Sequence, residues 1–179
     1  MMESKLNPSE GSIRMERLLP GPIERVWAYL TDSELRSTWF AAGDMSGGAG
    51  SAVTFDMRHN RITTDEPSVE KYKQVHNEGI SWQETLLAME APRLLRFSWT
   101  GEDGTPSEVS FELYAEGEMV RLTLTHVRVN NREELADFGS GWHMHLNALE
   151  NCLNGRQTTD FWSSWESLRK HYGELAAAD

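Results

Sequence analysis

The stretch GSGWHMHLNALENCL, Gly139 to Leu153, holds two histidines, a tryptophan and the only cysteine of the chain. Three chemistries suit those residue types: metal ligation, acid–base catalysis, or the wall of a ligand pocket. Spacing separates them. His143 and His145 are two residues apart, which on a helix turns them about 200° from one another. They cannot share one metal ion, because paired ligands on a helix stand four residues apart. His145 falls on the side of Phe138, Trp142, Leu149 and Cys152, and His143 is expected to face solvent. Cys152 shares roughly that side with His145 but lies two turns away. The stretch therefore reads as a core-edge histidine and a small buried thiol, and no metal site is expected.

His126 ends the alternating run VRLTLTH on its inward face. An inward histidine in an apolar cavity can hydrogen-bond a ligand or act as a general base near neutral pH. It can equally be a structural group bonded to the backbone at the strand end, and both readings stand. The aromatics Trp39, Phe55, Trp82, Phe97, Trp99, Phe111 and Trp142 are candidate cavity walls together with His126 and His145, and plain core packing is the alternative for each. Trp82 and Trp99 sit in runs, QETLLAME and LLRFSW, that are apolar on both faces, so their direction is open. Arg58, Arg96 and Arg121 are expected in solvent. There is no G-x-S-x-G elbow, P-loop, G-x-G-x-x-G after a strand, or H-E-x-x-H, so no catalytic residue and no cofactor are assigned. GDMSGGAGS is glycine-rich but precedes a strand, where it cannot offer helix N-terminal amides to a phosphate. It reads as a flexible loop.

The elements that must position these residues follow from periodicity. Residues 1–11 are polar and read as a disordered leader with no apolar run of a signal peptide. SIRMERLL is a strand with Ile13, Met15 and Arg17 on one face. PIERVWAYL and TDSELRSTWF are two short helices, the second capped by Asp32 or Ser33. SAVTFDMR is a strand, and the polar segment 59–79 holds a short helix capped by Ser68. From Ile80 the chain is an antiparallel meander, in which Val109, Phe111, Leu113 and Ala115, then Val120, Leu122, Leu124 and His126, alternate inward. Leu135, Phe138, Trp142, Leu146, Leu149 and Leu153 then mark a long amphipathic helix, in which Gly139 and Gly141 permit a bend or a close approach. A tail, 156–179, carries Phe161, Trp162, Trp165, Leu168 and Tyr172 and reads as a helix starting near Asp160 or Ser163. The order predicts an α+β fold, helices on one face of an antiparallel sheet.

The net charge of −11 disfavours nucleic acid and anionic lipid as partners, since both select clustered Lys and Arg. No run reaches the roughly 18 apolar residues of a membrane span. One cysteine cannot form an internal disulfide, which suits a reducing, cytoplasmic setting.

Three segments, LPGPIERVWAYLTDSELRSTWF, AMEAPRLLRFSWTG and VRLTLTHV followed by GWHMHLNALENCL, together resemble the START-like (SRPBCC) helix-grip superfamily. More narrowly, they resemble the family named for the activator of the heat-shock-protein-90 ATPase. The resemblance spans residues 12–155. It implies a six-stranded antiparallel sheet folded around the long helix, with an internal cavity. Members of the wider superfamily bind lipids, sterols, polyketides or plant hormones, and a few catalyse cyclisation or hydrolysis. The implied function is binding of a small hydrophobic or amphipathic molecule. The alternatives are a protein-interaction module with a chaperone partner, or a cavity cyclase or hydrolase. The insert 59–79 and the tail 156–179 depart from the family pattern. Either can cover a cavity mouth, and the tail can pack on its own domain or build a homodimer.

Overall fold

A computed structural model describes residues 2–178; Met1 of the leader reading and Asp179 of the tail reading lie outside the described residues. The first half of the chain comprises β1 (Met2–Asn7), β2 (Ser12–Pro20), α1 (Ile23–Thr31), α2 (Ser33–Ser37), β3 (Ala52–Met57), α3 (His59–Ile62) and α4 (Glu70–Glu78). The second half comprises β4 (Ile80–Glu90), β5 (Leu94–Thr100), β6 (Pro106–Glu116), β7 (Met119–Val127), α5 (Arg132–Leu153) and α6 (Trp165–Ala177). The strands form one antiparallel sheet in the order β1-β2-β7-β6-β5-β4-β3. Helix α5 lies along its inner face, which makes this an α+β helix-grip fold.

The sheet has seven strands, one more than expected, because residues 2–7 of the presumed leader pair with β2, Leu6 opposite Ile13. An edge strand is held by backbone hydrogen bonds, so a polar segment can supply it without an apolar alternation. The glycine-rich loop is also less free than expected at its start. Arg36 is buried there, its Nε donating to Ala41 O at 2.8 Å and its Nη2 to Gly43 O. Its Nη1 reaches Leu30 O at 3.2 Å and Thr31 O at 3.1 Å. Met45 is buried beside it. A guanidinium capped by carbonyls is tolerable in a core because each of its nitrogens has an acceptor, and burial lowers its pKa to about 10.

Helix α5 starts where Asn131 Oδ1 accepts from the Glu134 backbone N–H at 2.7 Å, with Glu133 and Glu134 in the first turn favouring the helix dipole. It is buried on two sides. Leu135, Trp142, Leu146 and Leu149 face the sheet, and α6 packs along the other side. This corrects the expectation for His143. It is buried against α6, with its Nδ1 2.8 Å from the Tyr172 hydroxyl. The 200° divergence from His145 holds, but a tail helix occupies the side that periodicity assigns to water. Helix α6 begins at Trp165 behind Ser164, later than either cap expected, because residues 161–164 form turns. Helix α4 begins at Glu70 behind Val69 rather than at Ser68.

The two glycines of α5 have separate roles. A Cβ on Gly139 would stand 2.6 Å from Tyr172 Cδ1 and 3.0 Å from its Cγ, while one on Gly141 would meet nothing within 4 Å. Gly139→Ala therefore forces a buried ring aside and should destabilise the protein by about 1–3 kcal/mol despite alanine's better helix propensity. Gly141→Ala should be neutral or stabilising by up to about 1 kcal/mol. Urea unfolding of both variants checks this, and the opposite order would contradict the packing described.

Candidate ligand-binding cleft

Helix α5 is keyed to the sheet by a buried polar chain. The Trp142 indole N–H donates to His126 Nδ1 at 3.1 Å, and His126 Nε2 lies 2.7 Å from Ser107 Oγ, which donates to Trp99 O at 2.8 Å. An indole nitrogen can only donate, and a hydroxyl whose hydrogen is committed to a carbonyl can only accept at its oxygen. His126 is therefore the neutral tautomer with its proton on Nε2. Both ring nitrogens are engaged, the residue has no exposed surface, and Phe138 stacks on it at 4.8 Å. Burial pushes its pKa down to about 3. A histidine so committed holds the helix and has no lone pair left for a substrate.

Beside this chain the interior opens into three adjoining hollows that share Phe138 as a lining residue. The innermost, about 120 Å³, lies between Phe40, Met57, Trp99, Trp142 and His145. A second, about 520 Å³, runs outward along β4 and β5 past Trp82, Trp99 and Glu84. The third, about 400 Å³, lies under the insert and the tail, between His59, Tyr72, His145, Phe161 and Trp162. The outer two are of the size that holds small organic ligands.

The candidate residues divide accordingly. Trp82, Trp99, Trp142 and His145 line the hollows, and Trp82 and Trp99 both turn inward, their rings 5.6 Å apart. Trp39, Phe55, Phe97 and Phe111 are fully buried behind them as core, and His126 is closed into its own network. Arg96 is exposed, and the half-exposed Arg58 and Arg121 pair with Asp56 at 3.1 Å and with Glu116 at 2.7 Å. Phe40, Met57, Phe138, His59, Tyr72, Phe161 and Trp162 also line the cleft, beyond the residues expected as its walls. For Phe138, the helical period of α5 was the available signal. For Tyr72, its helical spacing with Val69 and Val75 was the signal; His59 lies in a polar segment with none.

The insert 59–79 and the tail 156–179 make one wall together. Asp65 accepts from Ser163 N at 2.8 Å and from Thr63 Oγ1 at 2.6 Å, and Thr64 N donates to Thr158 O at 3.2 Å. The Trp162 indole N–H donates to His76 Nδ1 at 3.0 Å, and Tyr72 stacks on Trp162 at 5.4 Å. Behind this wall His145 Nδ1 lies 2.7 Å from Trp39 O, and burial lowers its pKa to about 4. His59 is buried with no partner for its Nδ1, and burial, then the neighbouring His145 and His76, lower its pKa to about 3. Among the described residues no group of three His, Cys, Asp or Glu has metal-binding geometry.

Four buried imidazoles, His59, His126, His143 and His145, thus have pKa values of about 3 to 4 in the folded chain against 6.5 for a free histidine. Between those limits the unfolded chain binds more protons, so stability is complete above pH 6.5 and falls as pH falls. From pH 6.5 to 5, one such fully buried imidazole costs at most about 2 kcal/mol. Urea midpoints measured at pH 7.5, 6.5, 5.5 and 5.0 should decline across this window, above the range where carboxylates titrate. A flat profile would contradict the neutral assignment.

A model of the activator of Hsp90 ATPase homolog 1-like protein family matches residues 20–154. Among solved structures, the protein encoded by gene BPP1335 from Bordetella parapertussis is 39% identical, with 95% of this chain and 87% of that chain covered and a TM-score of 0.82. CalU16 from Micromonospora echinospora shares the fold at 21% identity, covering 99% of this chain and 97% of that chain, TM-score 0.69. So does MLL2253 from Mesorhizobium loti, at 20% identity, 80% and 97% coverage and TM-score 0.62. No curated protein matches the chain. With its helix-grip fold and a family match over most of its length, the chain belongs to the activator of Hsp90 ATPase homolog 1-like family.

Proposed function

We propose that this chain is a binding module for a small hydrophobic or amphipathic molecule, held in the cleft between the sheet, α5 and the insert–tail wall. One observation carries the reading. The hollows are lined mainly by aromatic and apolar side chains, and the polar groups at their inner end are uncharged imidazoles. Such a lining favours an apolar body and fixes its orientation through few polar contacts. A chaperone-docking role, which the family description would suggest, finds less support. Among the described residues only Ile80 and Tyr114 are large hydrophobics exposed on the surface, and they form no broad apolar patch. A cavity hydrolase or cyclase working through His126 finds no support, since both nitrogens of that ring are engaged.

The test is native mass spectrometry of freshly purified protein, with denaturing extraction of any bound compound. Gly141 borders two of the hollows, and a side chain there starts in open space. Gly141→Leu should therefore fold normally and fill the cleft. The expected result is a co-purifying apolar compound, or stabilisation by members of a lipid and polyketide panel, that is lost in Gly141→Leu. A clean mass with no stabilisation, or binding unchanged in Gly141→Leu, would overturn the reading.

A further inference from the structure

The polar groups of the third hollow converge at one end, where His59 at the start of α3 and His145 on α5 have ring centres 5.9 Å apart. Phe161 packs on both, 5.3 Å from His59 and 5.0 Å from His145. The surrounding protein fixes where the His145 proton lies. The Trp39 carbonyl can only accept, so the His145 nitrogen 2.7 Å from it, Nδ1, carries the hydrogen. In the neutral ring Nε2 is then a bare lone pair, and it has no hydrogen-bond partner among the described residues. His59 Nδ1 is buried and unpartnered, so His59 meets the hollow through Nε2, which has no hydrogen-bond partner among the described residues and donates when the ring proton sits there.

These groups restrict what can bind. An anion such as a carboxylate brings only acceptors and meets the lone pair of His145 with no hydrogen between them. The indole N–H groups of Trp142 and Trp162 cannot compensate, being committed to His126 and His76. Glu102 and Asp137 also line this hollow, opposed by Lys71, while Arg169 pairs with Asp137 at 2.5 Å, so the rim adds no strong pull on an anion. A hydroxyl group, which donates one hydrogen and accepts another, suits both imidazoles. The faces of Tyr72, Phe161 and Trp162 suit a flat body next to it.

We infer that His145 and His59 anchor the hydroxyl group of a neutral ligand with a flat apolar body, the hydroxyl hydrogen going to His145 Nε2. This rests on the cleft being a ligand site.

The test uses the full chain, 15N-labelled at histidine, at pH 7. The probes are 2-naphthol, 2-methoxynaphthalene, 2-naphthoate and decahydro-2-naphthol, titrated by tryptophan fluorescence. His145→Asn keeps an N–H for the Trp39 carbonyl and removes the Nε2 lone pair. The expected result is that 2-naphthol binds on the order of tenfold more tightly than its methyl ether or the naphthoate. That preference should vanish in His145→Asn, and the wild-type His145 Nε2 resonance should move upfield as 2-naphthol binds. The nitrogen shift needs no variant, so it decides the matter even if His145→Asn fails to fold. A margin of 2-naphthol over the methyl ether supports the anchor, and tighter binding of decahydro-2-naphthol than of 2-naphthol overturns the flat body. Equal binding of 2-naphthol and the ether, or a preference that survives His145→Asn, overturns the inference and leaves the binding-module reading standing. Failure of every neutral probe to bind overturns both.

Discussion

The hydrogen bond from the Trp142 indole to His126 Nδ1 fixes how α5 sits on the sheet, and the rest of the interior follows from that rotation. A helix on a curved sheet can slide and roll over apolar contacts with little directional preference. A buried donor–acceptor pair cannot, because any roll leaves two polar atoms unpaired at a cost of about 1–3 kcal/mol each. The pair is extended through Ser107 to the Trp99 carbonyl, so the same chain also ties β5, β6 and β7 together. With α5 held in this rotation, His145 turns to the cleft and His143 to α6. Gly139 falls under the Tyr172 ring and Gly141 opens on the hollows.

The cleft exists because the sheet and α5 diverge near Phe138 and because the insert and the tail close over the gap without filling it. Their contact is specific. Asp65 reads the backbone at Ser163, and His76 accepts from Trp162, so neither segment can take this position without the other. The wall contributes His59, Tyr72, Phe161 and Trp162. Half of the residues lining the third hollow come from the insert and the tail.

Much of the fold was legible because burial on one face writes a period into the sequence. The alternation of Val109, Phe111 and Leu113, and the helical spacing from Leu135 to Leu153, named the sheet face and the gripped helix directly. Strand β1 was not legible, because pairing at an edge is made by backbone groups that every residue has. His143 was misplaced for a related reason. Its cover comes from Tyr172, far along the chain, and a local period carries no information about a distant helix. The cleft was half legible. Inward direction could be read for Phe111 and His126, but whether an inward ring meets another ring or a void depends on where α5 parts from the sheet. His59 left no trace, since it sits in a polar segment and is buried by α5 and the tail, both distant in the chain.

The account stands on His126 being a neutral acceptor for Trp142. The most direct measurement is a long-range 1H–15N spectrum of the histidine rings in the ligand-free protein at pH 7, recorded with hydrogen exchange of the Trp142 indole proton. The account predicts a neutral His126 with its proton on Nε2, an unprotonated Nδ1, and a slowly exchanging Trp142 indole proton. A His126 that titrates near pH 6.5, or carries its proton on Nδ1, would contradict it.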